Sequence, residues 1–138
     1  MNLKGKNILL TGGSLGIGKQ TANALVKKGA NVLITGRSED RLKKASEYSG
    51  AKYLVFDISD LDSITSKAKE CLNILENRVD VLINNAGTGF RRHIEDLNAD
   101  DFMTIYKTNV FGLSLLTKEI TPFMKNNKSG TIINIGST

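Results

Sequence analysis

A doubly wound α/β fold, five parallel strands in the order 3-2-1-4-5, is the architecture this sequence predicts. Three observations lead there. Short runs rich in β-branched and aliphatic residues recur along the chain, and helical patterns separate them. The runs are apolar at successive positions, as in strands covered on both faces, which is the habit of parallel sheets. A glycine-rich turn joins the first run to the first helical pattern. With right-handed crossovers, the order 3-2-1-4-5 opens a ligand crevice between strands 1 and 4, where the winding reverses.

The elements follow in order. NILLTG (Asn7–Gly12) is expected as the first strand. Ile17, Ala22, Leu25 and Val26 then share one helix face, and Gly29 stops that helix. NVLITG (Asn31–Gly36) reads as the second strand, and Ser38 caps a short helix running through Glu47. KYLVFD (Lys52–Asp57) reads as the third strand. Asp60 is placed to cap a helix that carries Leu61, Ile64, Ala68, Cys71, Leu72 and Leu75 on a single face. VDVLINN (Val79–Asn85) is the fourth strand, and the loop AGTGFRRHIEDLNAD follows it. One long helix then presents Phe102, Ile105, Tyr106, Asn109, Leu113, Leu116 and Ile120 on an apolar face. GTIINIG, from Gly130 to Gly136, reads as a fifth, buried strand.

Composition narrows the classes. A chain of 138 residues fits one domain and can bury a real core. Hydrophobic residues at 40% and charged residues at 24% exclude a disordered chain. Cys71 is the only cysteine, so no internal disulfide forms, and a buried helical position in a reducing compartment is expected. The opening MNLKGKNILLTGG lacks the apolar length of a signal peptide, and no run is long enough to span a membrane. The expected location is the cytoplasm. The net charge of +5 comes from scattered lysines and arginines, without an arginine-rich arm or a basic–aromatic alternation, so no nucleic-acid site is indicated. His93 is the only histidine and stands in a polar loop beside Arg91 and Arg92. No second ligand lies at metal spacing, so no metal site is expected.

The sharpest motif is TGGSLGIG, Thr11 to Gly18, between the first strand and first helix. Gly12 can turn the chain with a positive φ, Gly16 lets backbone approach a ligand, and Gly18 lets the helix pack closely. The helix N-terminus then offers free N–H groups and the positive end of its dipole to a diphosphate. The spacing G-x-x-x-G-x-G differs from the commoner G-x-G-x-x-G, and no Lys-Ser/Thr pair follows to make a P-loop.

Thr11 to Gly18 resembles the T-G-x-x-x-G-x-G signature of the short-chain dehydrogenase/reductase family, whose fold is Rossmann-like. NNAG (Asn84 to Gly87), Asn109 in KTNVFG and Ser137 in INIGS match three further signatures of that family in the correct order. The resemblance implies a nicotinamide dinucleotide along Gly12, Ser14, Leu15, Gly16, Ile17 and Gly18. It also implies that Asp57 accepts a hydrogen bond from the adenine amino group, Ile58 covers the ring, and Asn85-Ala86-Gly87 lies along a ribose. A helix-capping role is the alternative for Asp57, and a purely structural one for Asn84. Strand 2 ends in Gly36-Arg37, where a carboxylate would favour NAD. A guanidinium there can grip a phosphate and stack on adenine, which favours NADP over NAD. Against this, Leu15 stands where the family often places a second phosphate-binding base, and Arg37 could be a solvated loop residue with Glu39 or Asp40 turned inward. Asn109 is implied to hold a proton-relaying water, with a structural amide as the alternative, and Ser137 to polarise a carbonyl.

The family's tyrosine and lysine, four residues apart on one helix, have no counterpart here. Tyr48 and Lys52 have the offset, but Gly50 breaks the helix between them and Lys52 opens a strand. The chain stops one residue beyond Ser137, so it is expected to be the cofactor half of a domain incomplete at its C-terminus and inactive alone. The longer protein is expected to move hydride between the nicotinamide and a small alcohol or carbonyl substrate, as a homo-oligomer. The alternative is a non-catalytic dinucleotide-binding or dimerisation module.

Overall fold

A computed structural model of the chain describes residues 2–137. It contains a five-stranded parallel sheet in the order β3-β2-β1-β4-β5. The strands are β1 (Asn7–Thr11), β2 (Asn31–Gly36), β3 (Lys52–Val55), β4 (Val81–Asn84) and β5 (Thr131–Asn134). The helices are α1 (Gly16–Lys27), α2 (Glu39–Ser49), α3 (Ile64–Ile74), α4 (Ala99–Tyr106) and α5 (Leu113–Asn126). The expected order and topology are the observed ones.

Alternation within each strand sorts the core into two layers. Leu9, Leu33 and Leu82 share a row across the sheet and pack against Ala68, Cys71 and Leu72 of α3 and Leu116 and Ile120 of α5. Ile8, Leu10, Val32, Ile34, Val81 and Ile83 point the other way, onto Ala22 of α1 and Leu42 and Ala45 of α2. Both faces of the central strands are therefore dry, which explains their continuous apolar runs. At the N-terminal edge of the sheet Asp80, 8% exposed, accepts from the Asn7 N–H at 2.8 Å and from Arg78 Nε at 3.0 Å.

Four expectations change. β5 is solvent-exposed along its length rather than buried, because among the described residues it pairs only with β4. The single long helix is three pieces: α4, a π-helical segment Lys107–Gly112, and α5. Its apolar stripe is divided accordingly. Leu116 and Ile120 are buried, whereas Phe102 and Tyr106 are half exposed. Asp60 makes no side-chain cap; it precedes a 3₁₀ turn, Leu61–Ser63, that leads into α3. Asp57 does the local work instead, accepting from Ser59 N at 2.9 Å and Ser59 Oγ at 2.7 Å.

Cys71 is fully buried, and burial, with a smaller contribution from Glu70, pushes its thiol up to about 12. A thiol this protonated is a poor nucleophile. The native protein should resist DTNB at neutral pH and react only on unfolding. The raised value also sets a sign. The unfolded thiol releases its proton near 9.0, whereas the folded thiol holds it to about 12. Stability from this group is thus complete below the unfolded value and is lost as pH rises through the window between the two. Urea unfolding at roughly pH 8 and pH 10 should show wild type losing on the order of 1 kcal/mol more than Cys71→Ala over that interval.

Candidate functional site

The site begins with how β1 ends. Gly12 turns the chain at φ +68, and a Cβ there would stand 2.8 Å from Ala86 Cα. The Gly13 N–H donates to the Thr35 carbonyl at 3.0 Å, which holds the turn to the end of β2. Gly16 adopts φ +50 with open space where a side chain would be. Gly18 lies so close to the Gly12 carbonyl and Asn85 Nδ2 that a Cβ would collide with both.

α1 starts at this turn without a cap. Leu15 offers no side-chain hydrogen bond, and no acidic residue stands in the first turn. Elsewhere the sequence provides caps: Ser38 Oγ accepts from Arg41 N in α2, and Asn98 and Asp101 form a reciprocal capping box in α4. The uncapped start of α1 leaves backbone donors and the positive dipole end facing the cavity described next.

A cavity of about 860 Å³ runs over the C-terminal ends of β1, β2 and β4. Gly12, Ser14, Leu15, Gly16, Ile17, Gly18, Arg37, Asp57, Ile58, Asn85, Ala86 and Gly87 all line it. The sequence had singled out each of these. Leu15 and Ile17 are the exposed apolar lip, at 54% and 69%. Arg37 reaches the cavity and Glu39 and Asp40 do not.

Thr11 organises the far wall. Its buried hydroxyl accepts from the N–H groups of Asn85 and Ala86, each at 3.0 Å, and donates to the Ile83 carbonyl at 3.4 Å. Asn85 Nδ2 donates to the carbonyls of Thr11 and Gly12 at 3.1 and 3.0 Å. These bonds lace the end of β4 to the end of β1. Asn84 serves the sheet from the opposite side: its Nδ2 donates to Asn134 Oδ1 of β5 at 2.8 Å and to Thr117 Oγ1 of α5 at 3.1 Å.

Two residues fall outside the cavity lining, Asn109 and Ser137. Asn109 is exposed rather than set on a buried apolar face. Its amide is committed to the backbone of Thr88, accepting from the N–H at 2.8 Å and donating to the carbonyl at 2.9 Å. The amide thus ties the π-helical segment to the loop after β4. The π-helical segment that carries it is pressed on Ile58 through Gly112, where a Cβ would collide with the Ile58 carbonyl. Ser137 is exposed at the end of the described chain, three residues beyond β5.

Some lining residues were not singled out beforehand: Thr35, Ser38, Arg41, Phe56, Thr88 and Thr108. Arg41 had a legible signal, since it lies in the first turn of the helix after Arg37. Thr108 had none, because its position depends on the π-helical turn. The discarded pair is apart as expected. Tyr48 lies in α2 and packs on α1, with Lys19 Nζ 4.6 Å from its ring centre, and Lys52 opens β3. Among the described residues no cluster of histidine, cysteine or carboxylate groups could hold a metal. Among the same residues no helix is long and apolar enough to cross a membrane.

Comparison with known proteins adds a second line of observation. The family model described as short chain dehydrogenase matches residues 6–138. Dehydrogenase/reductase SDR family member 7B of Xenopus laevis is 34% identical over 94% of this chain and 43% of its own length. The 3-oxoacyl-(acyl-carrier-protein) reductase FabG of Vibrio harveyi is 36% identical over 99% of this chain and 57% of its own. The chain thus spans about half the length of the curated relatives it matches. Among solved structures, a metagenomic short-chain oxidoreductase in complex with NADP superposes with a TM-score of 0.91 at 31% identity, over 100% of this chain and 65% of that one.

Proposed function

Because the chain belongs to the short-chain dehydrogenase family, we propose that its protein is an oxidoreductase moving hydride between NADP and a small alcohol or carbonyl substrate. The observation that carries this reading is the uncapped N-terminus of α1, opening through a glycine-rich turn onto a cavity of about 860 Å³. The residues present fit the cofactor. Backbone N–H groups between Gly12 and Gly18 would hold the diphosphate. Asp57 would accept from the adenine amino group beside Ile58, and the Asn85–Gly87 backbone would follow the nearer ribose. Residues 1–138 act in this reading as one dinucleotide-binding unit.

The nicotinamide, when bound, supplies or accepts the hydride. This chain's part is to hold and to polarise. The laced ends of β1 and β4 fix the wall on which the ribose rests. Ser137 would donate to the substrate oxygen. Asn109 would act as a positioning residue through its clamp on Thr88, which keeps the loop after β4 in place. The half-exposed Phe102, Met103 and Tyr106 of α4 support a homo-oligomer in which a second copy covers them. The lone buried thiol suits a reducing, cytoplasmic setting.

Preference for NADP is supported by Arg37 in the cavity lining and by the absence of Glu39 and Asp40 from it. The neighbour solved with NADP supports the same choice. A calorimetric titration of the intact protein with NADPH and NADH tests it. NADPH should bind tighter, and Arg37→Ala should weaken it by roughly tenfold or more, the worth of a charge-assisted pair, while NADH changes little. Equal affinity for both cofactors in wild type would overturn the NADP assignment.

A further inference from the structure

We propose that the base of the sheet, the end opposite the cavity, is a docking face for an anionic phospholipid surface. The inference does not depend on the dinucleotide reading.

Lys4, Lys6, Lys27, Lys28, Arg78 and Lys128 are far apart in the sequence. The topology gathers them, because each crossover helix runs back from the cavity end to where the next parallel strand starts. α1 ends on Lys27 with Lys28 at its C-cap, and Lys128 follows the end of α5. Lys4 and Lys6 precede β1, and Arg78 precedes β4. Backbone hydrogen bonds hold these segments side by side. The Gly5 N–H donates to the Gly29 carbonyl at 2.8 Å, and the Asn31 N–H to the Lys6 carbonyl at 2.8 Å. The Asp80 N–H donates to the Asn7 carbonyl at 2.9 Å, and the Thr131 N–H to the Asp80 carbonyl at 3.0 Å. The face so formed crosses β2, β1, β4 and β5, roughly 15 Å at the usual strand spacing.

Charge on this face is unbalanced. Lys4, Lys27, Lys28, Arg78 and Lys128 are exposed. Asp80 is buried beneath them and committed to Arg78 at 2.9 Å and Lys6 at 3.9 Å. Glu76 is exposed beside Arg78 and offsets one cation. Among the described residues Lys4, Lys27, Lys28 and Lys128 enter no ion pair. Helix dipoles account for cations at the ends of α1 and α5, but not for Lys4, which stands before a strand. The cavity end differs. Glu39, Asp40, Asp62, Glu95, Asp96 and Asp100 stand in the first turns of helices there and offset its arginines. The positive excess of the molecule therefore lies at the base. Lysines supply charge without a fixed fork geometry. None of the exposed aromatic rings belongs to these segments, so nothing among the lysines stacks on a base. A broad set of lysines suits the plane of charge that a leaflet presents, and each is worth about fivefold in affinity there. Docked this way, the cavity opens away from the lipid.

The test is cosedimentation of the intact protein with vesicles of phosphatidylcholine alone and of phosphatidylcholine mixed equally with phosphatidylserine. Wild type should bind the mixed vesicles, ignore the neutral ones and let go as salt rises. Lys27→Gln combined with Lys28→Gln should weaken binding by about 25-fold, and Lys4→Gln combined with Lys128→Gln by a similar factor. Circular dichroism checks folding, and either base variant decides alone if the other fails to fold. Lys43 and Lys44 are exposed within α2. Lys43→Gln combined with Lys44→Gln removes the same charge and should change binding by no more than about twofold. No binding of wild type to the mixed vesicles overturns the proposal. So does an equal loss in all three double variants, which would make net charge the cause and not the base. Tighter binding of wild type to random-sequence duplex DNA than to the mixed vesicles, per phosphate, would make the base a nucleic-acid face and overturn the lipid assignment.

Discussion

Gly18→Ala should abolish measurable dinucleotide binding and lower the stability of the fold. The new methyl has nowhere to go: the Gly12 carbonyl and Asn85 Nδ2 already occupy its place. Neither is the free end of a flexible side chain. The carbonyl is backbone in the turn, and Asn85 is tied to it by a 3.0 Å hydrogen bond. Relief requires α1 to move off the sheet or the turn to open, and either displaces the donors at the start of α1. Alanine favours a helix over glycine by about 1 kcal/mol, which offsets part of the cost. Overpacking against backbone costs more, so a net loss of about 2 kcal/mol or more is expected. Chemical denaturation and NADPH titration of wild type and variant check both claims. Unchanged stability with unchanged affinity would show that the contact of α1 on the turn is loose.

Thr11→Val should be nearly as damaging, although valine has the same shape. The threonine hydroxyl is the acceptor for two backbone N–H groups, those of Asn85 and Ala86. Thr11 is completely buried, so no water replaces it without rearrangement. Leaving a buried donor unpaired costs about 1–3 kcal/mol, so two such losses predict roughly 2–6 kcal/mol. Thr11→Ser keeps the hydroxyl and loses a methyl, worth about 1 kcal/mol. Urea unfolding of the three proteins should rank them wild type, serine, valine. Equal stability of the serine and valine variants would remove the hydroxyl from the account of the site.

Much of this architecture is legible in the amino-acid sequence. The strands announced themselves because a central parallel strand is dry on both faces, and rows such as Leu9, Leu33 and Leu82 leave no room for polar residues. The turn from Gly12 to Gly18 was legible because each glycine answers a geometric demand, a positive φ or a collision. What escaped depended on partners rather than pattern. An apolar stripe gives its spacing but not its cover, so Phe102 and Tyr106 looked buried and are not. A π-helical turn inserts residues without changing composition, and it carried Thr108 to the cavity unannounced. Asp57 and Asp60 are both fit to cap; only backbone geometry decides that Asp57 receives Ser59. Arg41 had a signal in its place on the first helical turn after Arg37, and that signal was weak, since an arginine there most often faces solvent.

The two hydrogen bonds between Asn109 and Thr88 have a thermodynamic consequence. A side-chain amide that both accepts from and donates to one residue's backbone imitates a neighbouring strand, and it extends the sheet's pairing past the end of β4. The segment from Asn85 to Thr88 is thereby restrained at both ends, by Thr11 on one side and by Asn109 on the other. Fixing one residue's backbone costs roughly 1–2 kcal/mol in conformational entropy. Here that ordering is completed when the chain folds, not when a ligand arrives. The cavity wall is preorganised, and a dinucleotide settling against it meets a surface whose disorder has already been spent.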